Sequence, residues 1–259
     1  MTHDHSEISS NNKYSIKKVT TIEEHISRYL LVTQKYAQKG YLDGIEKIPV
    51  SQPIESLLSI GNNGTKNESL FKDALNTEGK LISDGVNDIF LDKYHSNSIC
   101  FLAKDYIDVY GSARLIMRDS QGLPTINDPA IQIFDDYRYV YNEDCAEFSQ
   151  FVVKDGKSTH ISIGLLKIAF QYSTTMLNIH KWVATIDNSV LRFLNSRFFN
   201  FDLAAIGPRV YYLGSECTPV LIDLNRALDN SRRLESSRKI AEYILGINTM
   251  GYEDIEIAY

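Results

Sequence analysis

Hydrophobic and polar positions change their spacing several times along the chain, and each change predicts an element. Ile22, Ile26, Tyr29, Leu30, Val32 and Tyr36 recur at approximately helical intervals, which predicts a helix over 21–38. Thr20 or Thr21 supplies its cap and Gly40 its stop. The polar residues 1–15 ahead of it are expected to be a disordered or weakly docked tail. Residues 40–90 set Pro49, Pro53 and Gly61-Asn62-Asn63-Gly64 between short apolar pieces such as SLLSI. They predict one or two short helices joined by loops, an insertion or a lid on a single domain covering 16–259.

From residue 98 the pattern sharpens. SICFLAK and VYGSARLIM read as two strands of a hairpin across the turn Lys104–Asp108. Asp119–Pro124 is turn-forming. CAEFSQFVV, at 145–153, alternates as a strand, placing Glu147 and Ser149 on one face with Phe151 and Val153. That strand either has one wet face or lines a reaction cleft. Leu165, Ile168, Ala169, Tyr172 and Met176 predict a helix over about 160–177. WVATI is a short strand, and Asp187 caps a helix over about 188–197 with Val190, Leu191 and Leu194 on one face. VYYLG and PVLIDL are further strands. A last helix, about 231–245, turns Leu234, Ile240, Ala241 and Ile244 inward and stops at Gly246. The order of elements predicts one mixed α/β (α+β) sheet, mostly antiparallel, flanked by helices.

Composition narrows the function classes. The 259 residues suffice for a sizeable core, and a formal charge of −6 disfavours a general nucleic-acid binder. Three widely spaced cysteines, Cys100, Cys145 and Cys217, form neither a CxxC pair nor a disulfide framework. His95, His160 and His180 lack metal-ligand spacing, so no metal is expected. No apolar leader and no run long enough to span a bilayer is visible, which predicts a cytoplasmic protein without a transmembrane segment.

Several spaced motifs then converge. Gly111-Ser112-Ala113-Arg114-Leu115 closes the hairpin, and Glu147-Phe148-Ser149-Gln150-Phe151-Val152-Val153 resembles the E-x-S-R-F-x-V signature of acyl-homoserine-lactone (autoinducer) synthases. Ile186-Asp187, Arg192, Ile206-Gly207-Pro208 and Tyr211-Tyr212-Leu213-Gly214 are similar to the related N-acyl amino acid synthases. Both belong to the GNAT acyltransferase fold, and the resemblance spans about residues 88–224. Gln150 departs from the signature arginine. Asp92-Lys93-Tyr94-His95 departs from a D-x-[FY]-D pattern, with His95 in place of the second acid, and the usual GNAT phosphate loop is not evident near 154–164.

The resemblance implies amide formation, in which an amine attacks a thioester carbonyl and a thiol leaves. Such chemistry needs a base, oxyanion donors and an apolar slot. Glu147 is the candidate base. Arg114, on the neighbouring strand, is expected to pair with Glu147 or Asp92, and an arginine beside Glu147 would oppose its basicity. Ser149 is a candidate donor to the thioester. The backbone N–H groups of Phe151, Val152 and Val153 are oxyanion-hole candidates if the strand bulges. Asp92, His95 and Arg192 are candidate substrate contacts. Phe148, Phe151, Leu166, Phe170, Trp182 and Phe193 are candidate linings of the acyl slot. Two basic sets form candidate rims for an acidic acyl carrier protein: Lys154, Lys157, Lys181, Arg192 and Arg197, and Arg232, Arg233, Arg238 and Lys239.

The expected function is transfer of a fatty acyl group from acyl carrier protein or acyl-CoA onto the amine of an amino acid or similar small molecule, with no tightly bound cofactor. The alternatives are an autoinducer synthase and a non-catalytic module that binds an acyl thioester or lipid.

Overall fold

The computed structural model describes residues 13–60, 79–157 and 159–258. Among them, a nine-stranded sheet runs in the order β10-β11-β8-β7-β6-β5-β1-β12, with β9 also paired to β11. Its strands are β1 (Tyr14–Lys18), β5 (Ser98–Lys104), β6 (Val109–Ile116), β7 (Ala146–Val153), β8 (Lys181–Asp187), β9 (Ala204–Ala205), β10 (Val210–Tyr212), β11 (Ser215–Asp223) and β12 (Ile255–Ala258). Pairing is antiparallel except for β1 with β12 and β7 with β8. A smaller sheet joins β2 (Lys47–Pro49), β3 (Lys80–Ser83) and β4 (Asp88–Leu91). The helices are α1 (Ile22–Gln38), α2 (Ile54–Ile60), α3 (Pro124–Asn127), α4 (Thr159–Gln171), α5 (Asn188–Leu194), α6 (Leu224–Arg232) and α7 (Glu235–Leu245).

The period of two in β5 and β6 divides the sheet into two faces. Cys100 and Leu102, paired with Arg114 and Ser112, turn toward α1, where Leu31 and Val19 complete a cluster. Phe101, Ala103, Ala113 and Leu115 turn the other way, into the main core with Ile161, Leu165, Ile168 and Ala169 of α4 and Ile240, Ala241 and Ile244 of α7. Glycine sets how closely α4 approaches: a Cβ on Gly111 would meet Leu165 at 2.8 Å, and one on Gly164 would meet Ile16 at 2.3 Å. A side chain at either position would force those core side chains to shift.

Thr21 caps α1 by accepting from the Glu24 N–H, and Gly40 follows its end with a positive φ of 74°. The hairpin, β7, β8 and the Asp187 cap, whose side chain accepts from the Ser189 N–H, also lie where the sequence puts them. Gly246 ends α7 in the left-handed conformation.

Other expectations are corrected. Tyr14 and Ser15, assigned to a loose tail, belong to β1, held between β5 and β12; residues 1–12 lie outside the described residues. The 40–90 region contributes α2 but also the three short strands of the second sheet, which packs on α1, where the Thr33 hydroxyl accepts from the Phe90 N–H at 2.7 Å. Residues 61–78 of the expected insertion lie outside the described residues. The helix over 160–177 stays α-helical only to Gln171 and widens into a π turn over Tyr172–Met176, leaving Met176 exposed. The single last helix is two, α6 and α7, and Leu234 is an exposed residue at their junction.

Candidate active site

β7 and β8 are parallel neighbours at only two positions, Ala146 opposite Trp182 and Glu147 opposite Val183. Beyond them the strands diverge, and the gap is a cavity of about 730 Å³. β7 residues 148–153 form one wall, and Thr185, Ile186 and Asp187 of β8 form the other. Because the gap passes through the sheet, the cavity reaches both faces. Tyr36 of α1, Asp92, Arg114 and Glu147 line the end on the α1 face. Leu166 and Phe170 of α4, Ile244 of α7, and Leu224, Ala227 and Leu228 of α6 line the other end.

A bulge shapes the β7 wall. β6 pairs Arg114 with Ser149 but Ser112 with Val152, so Ala113 alone stands opposite both Gln150 and Phe151. Gln150 takes a left-handed backbone, φ 47°, which in a non-glycine residue costs on the order of 1–3 kcal/mol and persists only when its surroundings hold it. The bulge also resets the alternation. Phe151 does not share a face with Glu147 and Ser149, as strict period two requires; its ring lies 5.3 Å from that of Phe148. Phe148 in turn stacks on Trp182 at 4.8 Å, with the planes only 9° apart. Trp182 Nε1 donates to the Ser173 hydroxyl at 2.9 Å, from within the π turn, so the turn fixes this aromatic wall.

At the polar end each of the three Arg114 side-chain nitrogens donates a hydrogen bond. Its Nη1 and Nη2 donate to the two Asp92 carboxylate oxygens at 2.9 and 2.8 Å, and its Nε donates to Ser149 Oγ at 2.9 Å. Ser149 accepts there, which leaves its own O–H to donate. Burial would raise the Asp92 carboxyl, but the Arg114 charge and its hydrogen bonds prevail and hold it low.

Glu147 is only 4% exposed and behaves oppositely. Burial pushes its pKa up to about 8, against the hydrogen bond it accepts from the Thr125 N–H at 2.7 Å and against the Arg114 charge. The expected conflict between Arg114 and a basic Glu147 is thus resolved. Arg114 pairs with Asp92, whose charge raises Glu147 while Arg114 lowers it, and desolvation decides.

Among the sequence-derived candidates, Glu147, Arg114, Asp92, Phe148, Ser149, Phe151, Val152, Val153, Leu166, Phe170 and Trp182 come together around the cavity. His95, Arg192 and Phe193 do not line it. His95 packs against Tyr29 and His25, with its Nδ1 hydrogen-bonded to the Tyr29 hydroxyl; burial, Arg28 and His25 lower its pKa to about 4. Phe193 and Arg192 are surface residues of α5, and Phe193 stacks on Phe198 at 5.8 Å.

The sequence reading missed several lining residues: Tyr94, Asp128 and Tyr212 at the polar end, Lys35 on α1 and Lys39 just past its end, and the α6 positions. The Tyr212 hydroxyl donates to Asp128 Oδ2 at 3.2 Å, and burial, with Asp128 and Glu147 nearby, raises the Tyr212 phenol. Tyr94 and Tyr212 sit inside quoted motifs, which is the signal that marks them; nothing local marks Asp128. Among the described residues no group of three or more His, Cys, Asp or Glu side chains is placed to hold a metal ion. No helix among them is long and apolar enough to cross a membrane.

A mixed sheet split between two parallel central strands, with a bulge facing the split, is the architecture of the GNAT-like fold. Within that class, residues 67–225 match the model of the family described as N-acyl amino acid synthase FeeM, and the chain belongs to that family. The solved structure of FeeM, an N-acyl amino acid synthase from uncultured soil microbes, superposes with a TM-score of 0.52 at 14% identity, covering 84% of this chain and 94% of that one. Two acyl-homoserine lactone synthases are also similar. The CoA-dependent BjaI, with SAM and isopentyl-CoA, gives a TM-score of 0.49 at 12% identity, covering 95% and 93% of the two chains. LasI gives 0.45 at 16% identity, covering 65% and 83%. No curated protein sequence matches the chain. The protein is an N-acyltransferase with the GNAT-like fold.

Proposed function

We propose that the protein joins a long-chain acyl group, delivered as a thioester, to the amine of an amino acid or similar small molecule. The observation that carries this reading is Glu147, buried at the fork between a polar and an apolar half-cavity with its pKa raised to about 8. A carboxylate near its ordinary pKa is a weak base for an ammonium group; one near 8 is matched to it.

In this reading the acyl chain occupies the apolar half, against Phe148, Phe170, Trp182 and Ala227, and the thioester lies at the bulge. The acceptor enters the polar half, its amine toward Glu147 and Asp128. Lys39 and Lys93, both in the cavity lining, are the proposed partners for the carboxylate of an amino acid acceptor. Ionised Glu147 takes a proton from the amine as nitrogen attacks the carbonyl carbon. The carbonyl oxygen gains charge, which in this reading the Phe151 N–H at the bulge and the Ser149 hydroxyl stabilise. Collapse breaks the C–S bond, and the proton held by Glu147 passes to the departing thiolate. The products are an amide and a free thiol, and Glu147 returns ionised.

An acidic acyl carrier protein is the proposed donor partner. Exposed Arg197 lies beside the α6–α7 junction, where the Ser236 hydroxyl donates to its carbonyl at 2.8 Å, and Arg232 and Arg233 are exposed at that junction. The test is incubation with matched acyl-carrier-protein and acyl-CoA donors and pooled amino acids, read by mass spectrometry. New amides are expected, formed faster from the carrier; absence of any amide from either donor overturns the reading.

A further inference from the structure

Arg28 is the largest fully buried side chain of the described residues and has no place in the chemistry above. It lies on α1, 122 residues from Gln150 in sequence, yet its Nη2 donates to Gln150 Oε1. Its guanidinium also stacks over the Tyr29 ring, 4.6 Å from the centroid. No salt bridge holds it among the described residues, and its Nε and Nη1 are buried without a hydrogen-bond partner. A buried cation left this incomplete does not serve stability well, because two desolvated N–H groups go unrepaid. Its one side-chain hydrogen bond is to the residue whose backbone makes the bulge.

We propose that Arg28 is a positioning residue: by gripping the Gln150 side chain it holds the left-handed backbone of the bulge and thereby aims the Phe151 N–H group at the thioester. This rests on the reading above, in which that group meets the developing oxyanion. Gln150 alone gives no reason to adopt φ 47°, since glutamine has neither the freedom of glycine nor the short side chain of asparagine. Arg28 supplies the reason from outside the strand. The arrangement also gives Gln150, where the resembled signature has arginine, a defined task as acceptor of a cation that arrives from α1.

Two variants test this. Arg28→Met keeps the bulk and removes the grip together with the two unpartnered N–H groups. Its kcat is expected to fall about 100-fold, the lower range for a lost oxyanion donor, with the donor KM changed less than about threefold and the melting temperature unchanged or higher. Gln150→Gly lets the backbone reach the left-handed conformation without help. Added to Arg28→Met, it is expected to restore kcat at least about tenfold over Arg28→Met alone. A melting temperature that falls while kcat holds, failure of Arg28→Met to fold, or absence of rescue by glycine overturns the proposal. Glu147→Gln run in parallel separates the two levels: if that variant keeps full activity, the reading of the site has failed; if it is inactive and Arg28→Met is not, only the role of Arg28 has failed.

Discussion

Asp92 and Glu147 are two carboxylates buried beside one guanidinium, and they titrate in opposite directions. Asp92 takes both Nη groups of Arg114 and is held low; Glu147 takes one backbone N–H and is raised to about 8. The difference shows that a buried acid becomes a base according to how completely its neighbouring cation is already engaged. Arg114 is present in the site, but Asp92 uses its charge and Ser149 its remaining Nε donor. What remains for Glu147 is mostly desolvation, which favours the protonated acid and makes the ionised form proton-hungry. Asp92 is thus the residue that keeps Arg114 from pairing with the base.

The comparison breaks most visibly at Glu147 itself. Glu147→Gln is expected to cut turnover at least about 100-fold while the protein stays folded, as measured by steady-state kinetics and circular dichroism. Linkage gives the same residue a stability signature. Its folded pKa, about 8, lies above the ordinary carboxyl value of 4.5, so between those pH values the unfolded chain binds fewer protons and stability falls as pH rises. That loss of stability is complete above about pH 8 and should be missing from Glu147→Gln in urea melts across the range.

Asp92→Asn sharpens the comparison by releasing Arg114. The guanidinium then turns its charge on Glu147, and the acid limb of the kcat/KM profile is expected to move down by at least about one pH unit. Near pH 7 a larger fraction of Glu147 is then ionised, so the loss is expected on the plateau above the acid limb, where turnover falls because a base of lower pKa accepts the ammonium proton less readily. Stability should fall too, since a buried ion pair loses one partner; about 3 kcal/mol is the scale, reduced if Glu147 takes over as counter-ion.

Smaller effects belong to the apolar half. Ala227→Phe fills the α6 end of the slot and should move donor preference toward shorter chains, with the kcat/KM for the longest good donor reduced about tenfold. Competition assays between acyl donors measure that shift. Ser173→Ala removes the acceptor of the Trp182 indole N–H and should cost about 1 kcal/mol in stability, with a modest rise in donor KM.

The legibility of the molecule follows the range of the forces that shape it. α1, the hairpin, β7 and the Asp187 cap are written in local spacing and capping residues, so the sequence alone places them. The start of β1, Tyr14 and Ser15, falls in the expected tail because YSIKK offers one fully buried side chain, Ile16, and becomes a strand only through partners on both sides. α6 was missed because its only buried apolar residues are Leu224, Ala227 and Leu228, set among Asn, Arg, Asp and Ser. At the site, Glu147, Ser149 and Arg114 stand out in short motifs, whereas the bulge does not. Period two gives the wrong face to Phe151 because Gln150 is bent by a hydrogen bond from α1, a tertiary contact that no window of nine residues contains. Asp128 is hidden for the same reason: it reaches the cavity through a loop and is bonded by Tyr212 from the far edge of the sheet.

The most direct measurement is a titration of the Glu147 side chain, by isotope-edited infrared or carbon NMR with Glu147→Gln as the blank. The carboxyl should still be protonated at pH 7 and ionise with a midpoint of about 8. A midpoint at the ordinary carboxyl value of 4.5 would show that Arg114 or water stabilises its charge, and Glu147 would not be the poised base of this enzyme.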